Sequence, residues 1–260
     1  MNRILFETGE ISTDGSVWVP RNDFRAHHMR KVLKLGEEDR FRAGVVNGRG
    51  ATGTITSAGP KGYTLRLTLE QQPALPRYPI ALLLAHPRPI VLKRMLRDLT
   101  TAGLGELIVF PGELGERSYL MSSLWESGSV RRLLMEGAMQ GGSTMIPEVH
   151  QAASLESAVG SVAGRAKLEG RRLLFADEEG GGIGMAGLVG EERPDSAGVV
   201  AAIGPERGWS DAERSFFISN GFEPLSLGER VLRTEAAAIV TVCTLAARYA
   251  TLGLTGERIE

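Results

Sequence analysis

The 260-residue chain contains a single cysteine, Cys243. One thiol cannot close an internal disulfide, so a reducing, intracellular setting is expected. Its neighbours are apolar at helical spacing, which reads as core packing rather than as a nucleophile. No apolar run approaches the roughly 20 residues that span a bilayer, so no membrane partner is expected. The opening "MNRILFETGE" lacks the basic start, apolar stretch and small-residue cleavage site of a secretory leader, and a cytoplasmic location follows as an expectation. Nor is there an excess of either charge. A formal net charge of −1 argues against generic nucleic-acid binding.

What charge there is lies unevenly. Residues 1–72 carry a balance of +3 and the remainder −4. The densest basic stretch is "RNDFRAHHMRKVLKLG", where Arg21, Arg25, His27, His28, Arg30 and Lys31 are candidates to meet RNA phosphates. A solvated helix face accounts for the same pattern equally well.

Composition divides the chain. Residues 1–72 read as short strands and turns ("SVWVP", "YTLRLTLE") around one helix at about 22–35, a small β-rich domain with the character of a barrel. The proline-rich segment 73–79 reads as a linker. From residue 80 to 260, apolar runs of strand length ("IALLLA", "LIVF", "RRLLFA", "GVVAAIG") alternate with helical patterns at 90–103 and about 127–140. That alternation implies a mainly parallel α/β sheet.

"GIGMAG" (182–187) has the spacing of a dinucleotide fingerprint. It stands past its strand, and "LVGEERPDSAG" is a poor helix, so Gly180–Gly190 reads as a mobile loop instead. The stronger signal is "VVAAIGPERGWSDAERSFFISNG". A buried strand runs into the Gly204–Gly208 loop, and then into a helix with Ser210 as N-cap, Glu213 at N3 and Gly221 as C′. Twenty residues on, "PLSLGERVLRTEAAAIVTVCTLAARY" repeats strand, glycine loop and helix, with Thr234 available as a cap. So apolar a helix must be buried in a core or at a subunit interface. Two glycine loops at neighbouring strand ends can line one pocket, where backbone groups approach a ligand closely. No Lys-Ser/Thr pair follows, which excludes a nucleoside-triphosphate cradle.

"IGPERGWSDAE" with "LSLGERVLRTEAAA", and "HHMRKVLKLGEEDRF" near the N-terminus, resemble motifs of the ribosomal RNA small subunit methyltransferase E family. The resemblance implies a PUA-like RNA-binding β-barrel over 1–72 and a trefoil-knotted SPOUT domain with a parallel sheet over 80–260. It implies a homodimer, the cofactor S-adenosyl-L-methionine (SAM), no metal, and N3 methylation of one uridine in 16S rRNA of the small ribosomal subunit. Carried onto this chain, SAM would be held by Phe175, Ala176, Ile203, Gly204, Pro205, Glu206, Gly208, Leu225, Leu227, Gly228, Val231, Leu232, Thr234 and Ala237. Glu206, Arg230 and Arg233 become candidates for the chemistry. For Arg233, a structural ion pair with Glu206 or Glu235 is an equal reading.

The chain also departs from the family pattern. Arg207 replaces a loop glycine, so its backbone should avoid glycine-only conformations and its side chain should face solvent or RNA. Thr100, Gly103, Met139, Gly141 and Ser143 replace polar groups expected on the pocket or RNA side. Two alternatives therefore stand beside the leading one: a SPOUT enzyme acting on another RNA position, and a catalytically silent RNA-binding protein of the same fold.

Overall fold

A computed structural model of the chain describes residues 3–126, 128–179, 182–190 and 198–251. The chain forms two compact units, Met1–Pro76 with Ala138–Ile146, and Arg77–Gly137 with Pro147–Glu260.

The first unit is built on a curled sheet of β1 (Ile4–Phe6), β2 (Ser16–Pro20), β3 (Arg40–Val45), β4 (Gly50–Gly59) and β5 (Gly62–Leu69), in the order β1-β3-β4-β5-β2. Period-two alternation gives it an inner face. Val17, Val19, Ala43, Ala51, Ile55 and Leu65 are buried, while Trp18, Arg42 and Arg66 point outward. The expected helix forms as α1 (Phe24–His28), capped by Asp23, and widens into a π-type turn over Met29–Leu33. Lys34 ends it in the left-handed region at φ 53°. On the outer face, Gly44 and Gly50 pair across β3 and β4. A side chain at either would collide with Arg3, Glu70 or Thr144, so the two glycines make room for the buried Arg3 guanidinium.

In the second unit seven strands lie in the order β10-β12-β9-β11-β6-β7-β8, every described pairing parallel. They are β6 (Ile80–Ala85), β7 (Glu106–Phe110), β8 (Glu148–Gln151), β9 (Arg172–Ala176), β10 (Ile183–Gly184), β11 (Val199–Ile203) and β12 (Glu223–Ser226). The helices are α2 (Pro89–Thr101), α3 (Ser129–Gly141), α4 (Leu155–Leu168), α5 (Met185–Gly190), α6 (Asp211–Ser219) and α7 (Thr234–Thr251). The central strands β6 and β11 are buried along their whole length, as their unbroken apolar runs require. The sequence pattern missed α4, whose Gly160 and Gly164 weaken helix propensity. It is started by a reciprocal Ser154–Ser157 cap and anchored by buried Val159 and Val162.

Two expectations are corrected. Within 180–190, residues 182–190 are described and form β10 and α5 rather than a loop; 180, 181 and 191–197 lie outside the described residues. Backbone pairing of Ile183 with Leu225 and Gly184 with Ser226 holds the strand, a cause that side-chain periodicity does not register. Gly182 packs so closely on β12 that a Cβ would stand 2.2 Å from the Pro224 carbonyl oxygen. Close packing thus accounts for that glycine without a dinucleotide. The second correction concerns α7. Ala238, Thr241, Val242 and Leu245 face the core, but Cys243 is exposed and Val240 is 38% exposed. Cys243 is therefore not core packing. Among the described residues no helix is long and apolar enough to cross a membrane.

Candidate functional site

Strands β12, β9 and β11 are adjacent and end at one edge of the sheet. Ala176, Ile203 and the stretch after Ser226 therefore come together at the carboxyl edge, where open α/β sheets bind ligands. A cleft half open to solvent lies there, lined by residues of both glycine loops.

One wall is the loop after β11. The Gly208 amide donates to the Pro205 carbonyl at 3.0 Å, which closes a turn with Glu206 and Arg207 at its exposed corners. Gly208 takes φ +72°, the left-handed value that favours glycine at the end of such a turn. Arg207 has no positive φ and points out, as its substitution for glycine requires. The capping box then starts α6: the Ser210 hydroxyl accepts from the Glu213 amide at 3.1 Å and Glu213 Oε2 from the Ser210 amide at 2.9 Å. Buried Glu213 also accepts the Glu113 amide through Oε1 at 2.8 Å, which ties the loop after β7 to the same turn.

The opposite wall is the loop 227–233, where Gly228 has φ +117°. Thr234 is the first residue of α7, and its hydroxyl donates to the Gly204 carbonyl at 3.2 Å. One threonine thus joins the two glycine loops directly.

Of the residues expected at a cofactor, Ala176, Ile203, Gly204, Pro205, Glu206, Gly208, Leu227, Gly228, Val231, Leu232, Thr234 and Ala237 line the cleft. Phe175 and Leu225 do not. They are at most 1% exposed and sit one pleat back inside the sheet. Arg230 lines the cleft and is exposed; Arg233 is exposed but not among the lining residues. Among the described residues neither arginine makes an ion pair, so the Arg233 pairing with Glu206 or Glu235 is not formed.

Three lining residues escaped the sequence reading: Asp177, Glu178 and Trp209. The acidic pair directly follows β9 and could have been found as its carboxyl-edge continuation. Asp177 is held by Arg214 at 3.1 Å, whereas Glu178 is exposed at the cleft. Trp209, immediately before the N-cap, is 3% exposed. Its indole N–H donates to the Ala176 carbonyl at 2.8 Å, and its ring stacks on Phe110 and meets Phe217 edge-on. It forms the floor that fixes the spacing between β9 and the β11 loop.

His86, directly after β6, is buried. Its Nε2 accepts from the Trp125 indole at 3.1 Å, which assigns the hydrogen to Nδ1, facing the Pro87 carbonyl at 2.6 Å. Burial pushes the imidazole below its ordinary range, against the opposing pull of the Pro87 carbonyl and Glu206. The unfolded chain therefore takes up this proton more readily, and stability is lost as pH falls below about 6.5. His28 is also depressed by burial, so the comparison must isolate His86. Thermal melts from pH 7.5 to 5 should show a shallower acid-side loss in His86→Gln than in the wild type. Equal slopes would remove His86 as a contributor.

The basic N-terminal set divides. Arg21, His27 and Lys31 are exposed and Arg30 is half-buried, but Arg25 and His28 are buried. Arg25 is turned inward to Glu10 and Asp23, out of reach of an RNA chain. The family departures are likewise mostly internal. Thr100 is buried with its hydroxyl on the Leu96 carbonyl, Met139 is fully buried, and a Cβ at Gly103 (φ +84°) would strike the Tyr78 ring. Ser143 accepts the Met145 amide, and Gly141 is exposed. None of them lines the cleft.

Residues 73–246 match the model of an RNA methyltransferase domain, and 22–68 that of an RNA methyltransferase PUA domain. The chain is 32% identical over 240 residues to ribosomal RNA small subunit methyltransferase E of Treponema pallidum (strain Nichols), covering 92% of this chain and 88% of that one. It is 29% identical to methyltransferase E 1 of Borreliella burgdorferi, over 92% and 94%. Among solved structures, ribosomal RNA small subunit methyltransferase E from Neisseria gonorrhoeae, bound to S-adenosyl methionine, superposes with a TM-score of 0.70 at 19% identity. It covers 97% of this chain and 98% of that one, and at this identity it establishes the shared fold.

Proposed function

The chain belongs to the ribosomal RNA small subunit methyltransferase E family, and on that premise we propose that it methylates N3 of a uridine in 16S rRNA with SAM held in the cleft between the two glycine loops. The observation that carries this reading is the Thr234–Gly204 hydrogen bond, which joins both motif loops into one pocket. The residues present suit SAM. Ile203, Leu227, Leu232 and Ala237 offer an apolar bed for a flat ring, and Gly204, Gly208 and Gly228 leave backbone groups approachable. Exposed Glu178 and Glu206 place negative charge near a cationic ligand.

SAM supplies an electrophilic methyl group on its sulfonium. The chain's own task is to align the uracil nitrogen with that methyl and to manage the N3 proton as the new N–C bond forms. Glu206, on the cleft wall, would take that proton or bond the cofactor. Arg230, unpaired at the rim, can hold an RNA phosphate or the charge that develops on the base, and exposed Arg233 follows three residues later. The reading also includes residues 1–72 as the RNA-binding domain and 80–260 as a catalytic domain with a knotted path. It further includes a homodimer, to which the outward Val240 and Cys243 of α7 offer an apolar face.

Two measurements test it. Calorimetry should show binding of SAM and of S-adenosylhomocysteine; absence of both would leave only a silent RNA-binding protein. Nucleoside mass spectrometry of 16S rRNA from a deletion strain should lose N3-methyluridine, and an unchanged level would redirect the enzyme to another position.

A further inference from the structure

We propose that RNA docks on the outward face of the N-terminal sheet, with phosphates on Arg40, Arg42 and Arg66 and a base stacked on Trp18. This deepens the methyltransferase reading and rests on it. The placement comes from strand register rather than from the basic helix.

Arg40 pairs with Thr54, Thr54 with Arg66 and Arg66 with Ser16, so four strands contribute one straight row. Arg42, Thr52 and Thr68 form the adjacent row, and Trp18 lies opposite Thr64 on the edge strand β2. Neighbouring strands stand about 4.8 Å apart and alternate residues about 6.6 Å along a strand. The three guanidinium groups therefore spring from points roughly 7 to 12 Å apart on one surface.

Three features set this face apart from a merely solvated one. First, its arginines are not used by the fold. Among the described residues Arg40 and Arg42 have no ion-pair or hydrogen-bond partner, and Arg66 has only Asp14 in electrostatic reach, without a contact. By contrast, buried Arg3 of the same unit pairs with Glu70, and buried Arg25 with Glu10 and Asp23. Second, every other outward position on β2, β3, β4 and β5 is a serine, threonine, proline or glycine, with no carboxylate among them, and Leu5 of β1 is buried. Third, Trp18 is 52% exposed while its neighbours Val17 and Val19 fill the core, so much of the indole, which lies by Gly62, stays open to a ligand. Unpaired arginines beside an open aromatic face match a polyanion with stackable bases. The far end of the same face is already covered by Arg3, Glu70 and Thr144 over Gly44 and Gly50, so the open area is bounded.

The test is fluorescence anisotropy with a labelled 16S rRNA transcript over a KCl series. It compares the wild type, the triple variant Arg40→Ala/Arg42→Ala/Arg66→Ala, Trp18→Ala, and a helix variant Arg30→Ala/Lys31→Ala. These positions are exposed except Arg30, which is half-buried, and melts and SAM calorimetry verify that each variant remains folded. The triple variant should bind at least ten-fold more weakly, with the log–log salt slope reduced by about 2 to 3, since each lost phosphate contact removes roughly 0.7–0.9. Trp18→Ala should weaken binding about ten-fold with little change of slope.

A triple variant with wild-type affinity and slope overturns the proposal, as does a loss confined to the helix variant. Normal binding to the naked transcript together with lost binding to assembled subunits would make the face a protein contact, and also overturns it. If the wild type binds neither SAM nor transcript, the methyltransferase reading itself falls.

Discussion

Gly204→Val should abolish measurable SAM binding, a loss of at least 100-fold, while leaving a folded protein. A Cβ at residue 204 would stand 3.2 Å from the Trp209 ring and 3.5 Å from the Gly208 carbonyl carbon. The first approach is tight enough that the ring must shift by a few tenths of an ångström even for alanine, and valine adds two methyl groups beyond it. Trp209 cannot yield freely, because its indole N–H is fixed to the Ala176 carbonyl and its ring is packed on Phe110 and Phe217. The methyl groups must therefore enter the cleft or tilt its floor, and either change closes the space between the two glycine loops. Overpacking of this kind costs about 1–3 kcal/mol of stability. Gly204→Ala, with a single methyl, should show an intermediate loss. Isothermal calorimetry with circular dichroism as the folding control decides the matter. Retained affinity in a folded Gly204→Val protein would place the cofactor elsewhere.

Arg25→Ala should lower the stability of the N-terminal unit by about 3 kcal/mol, since it removes a buried cation and leaves two half-buried carboxylates without their partner. All five guanidinium N–H groups are engaged. Nε donates to Asp23 Oδ1 at 3.0 Å, Nη1 to the Leu5 carbonyl at 3.0 Å and Glu10 Oε2 at 2.8 Å, and Nη2 to Glu10 Oε1 at 2.5 Å and Asp23 Oδ2 at 2.7 Å. The cation also lies 5.0 Å from the centre of the Phe6 ring. Burial pushes the Glu10 carboxyl up, but the Arg25 hydrogen bonds, the Glu7 amide and the Arg25 charge together hold the group below its ordinary value. The thermal midpoint should fall by on the order of 10 °C. Arg25→Lys, which keeps the charge but not the planar fork, should recover only part of that loss. An unchanged midpoint with weakened RNA binding would return Arg25 to the RNA surface.

These two residues show where sequence reading succeeds and where it stops. Gly204 was legible because its context is local. A buried strand, a glycine turn and a Ser210–Glu213 cap are adjacent in the chain, and each leaves a residue-type signature. Local periodicity likewise carried β6, β7, β9 and β11, and the motif pair carried the family. Arg25 was misplaced because a basic residue in a basic helix looks the same whether its partners are phosphates or Glu10, fifteen residues earlier. The outward Cys243 failed similarly, since an apolar helix does not say which of its faces the core covers.

The sequence by itself determined the α/β design and the two glycine loops that line one cleft, because propensity, capping and alternation act over a few residues. Only the tertiary structure decided that Trp209, Asp177 and Glu178 complete the cleft, that Phe175 and Leu225 stand behind it, and that Arg40, Arg42 and Arg66 share a face. Those facts follow from which strand lies beside which and in what register, and strand pairing is set by contacts between residues far apart in the chain.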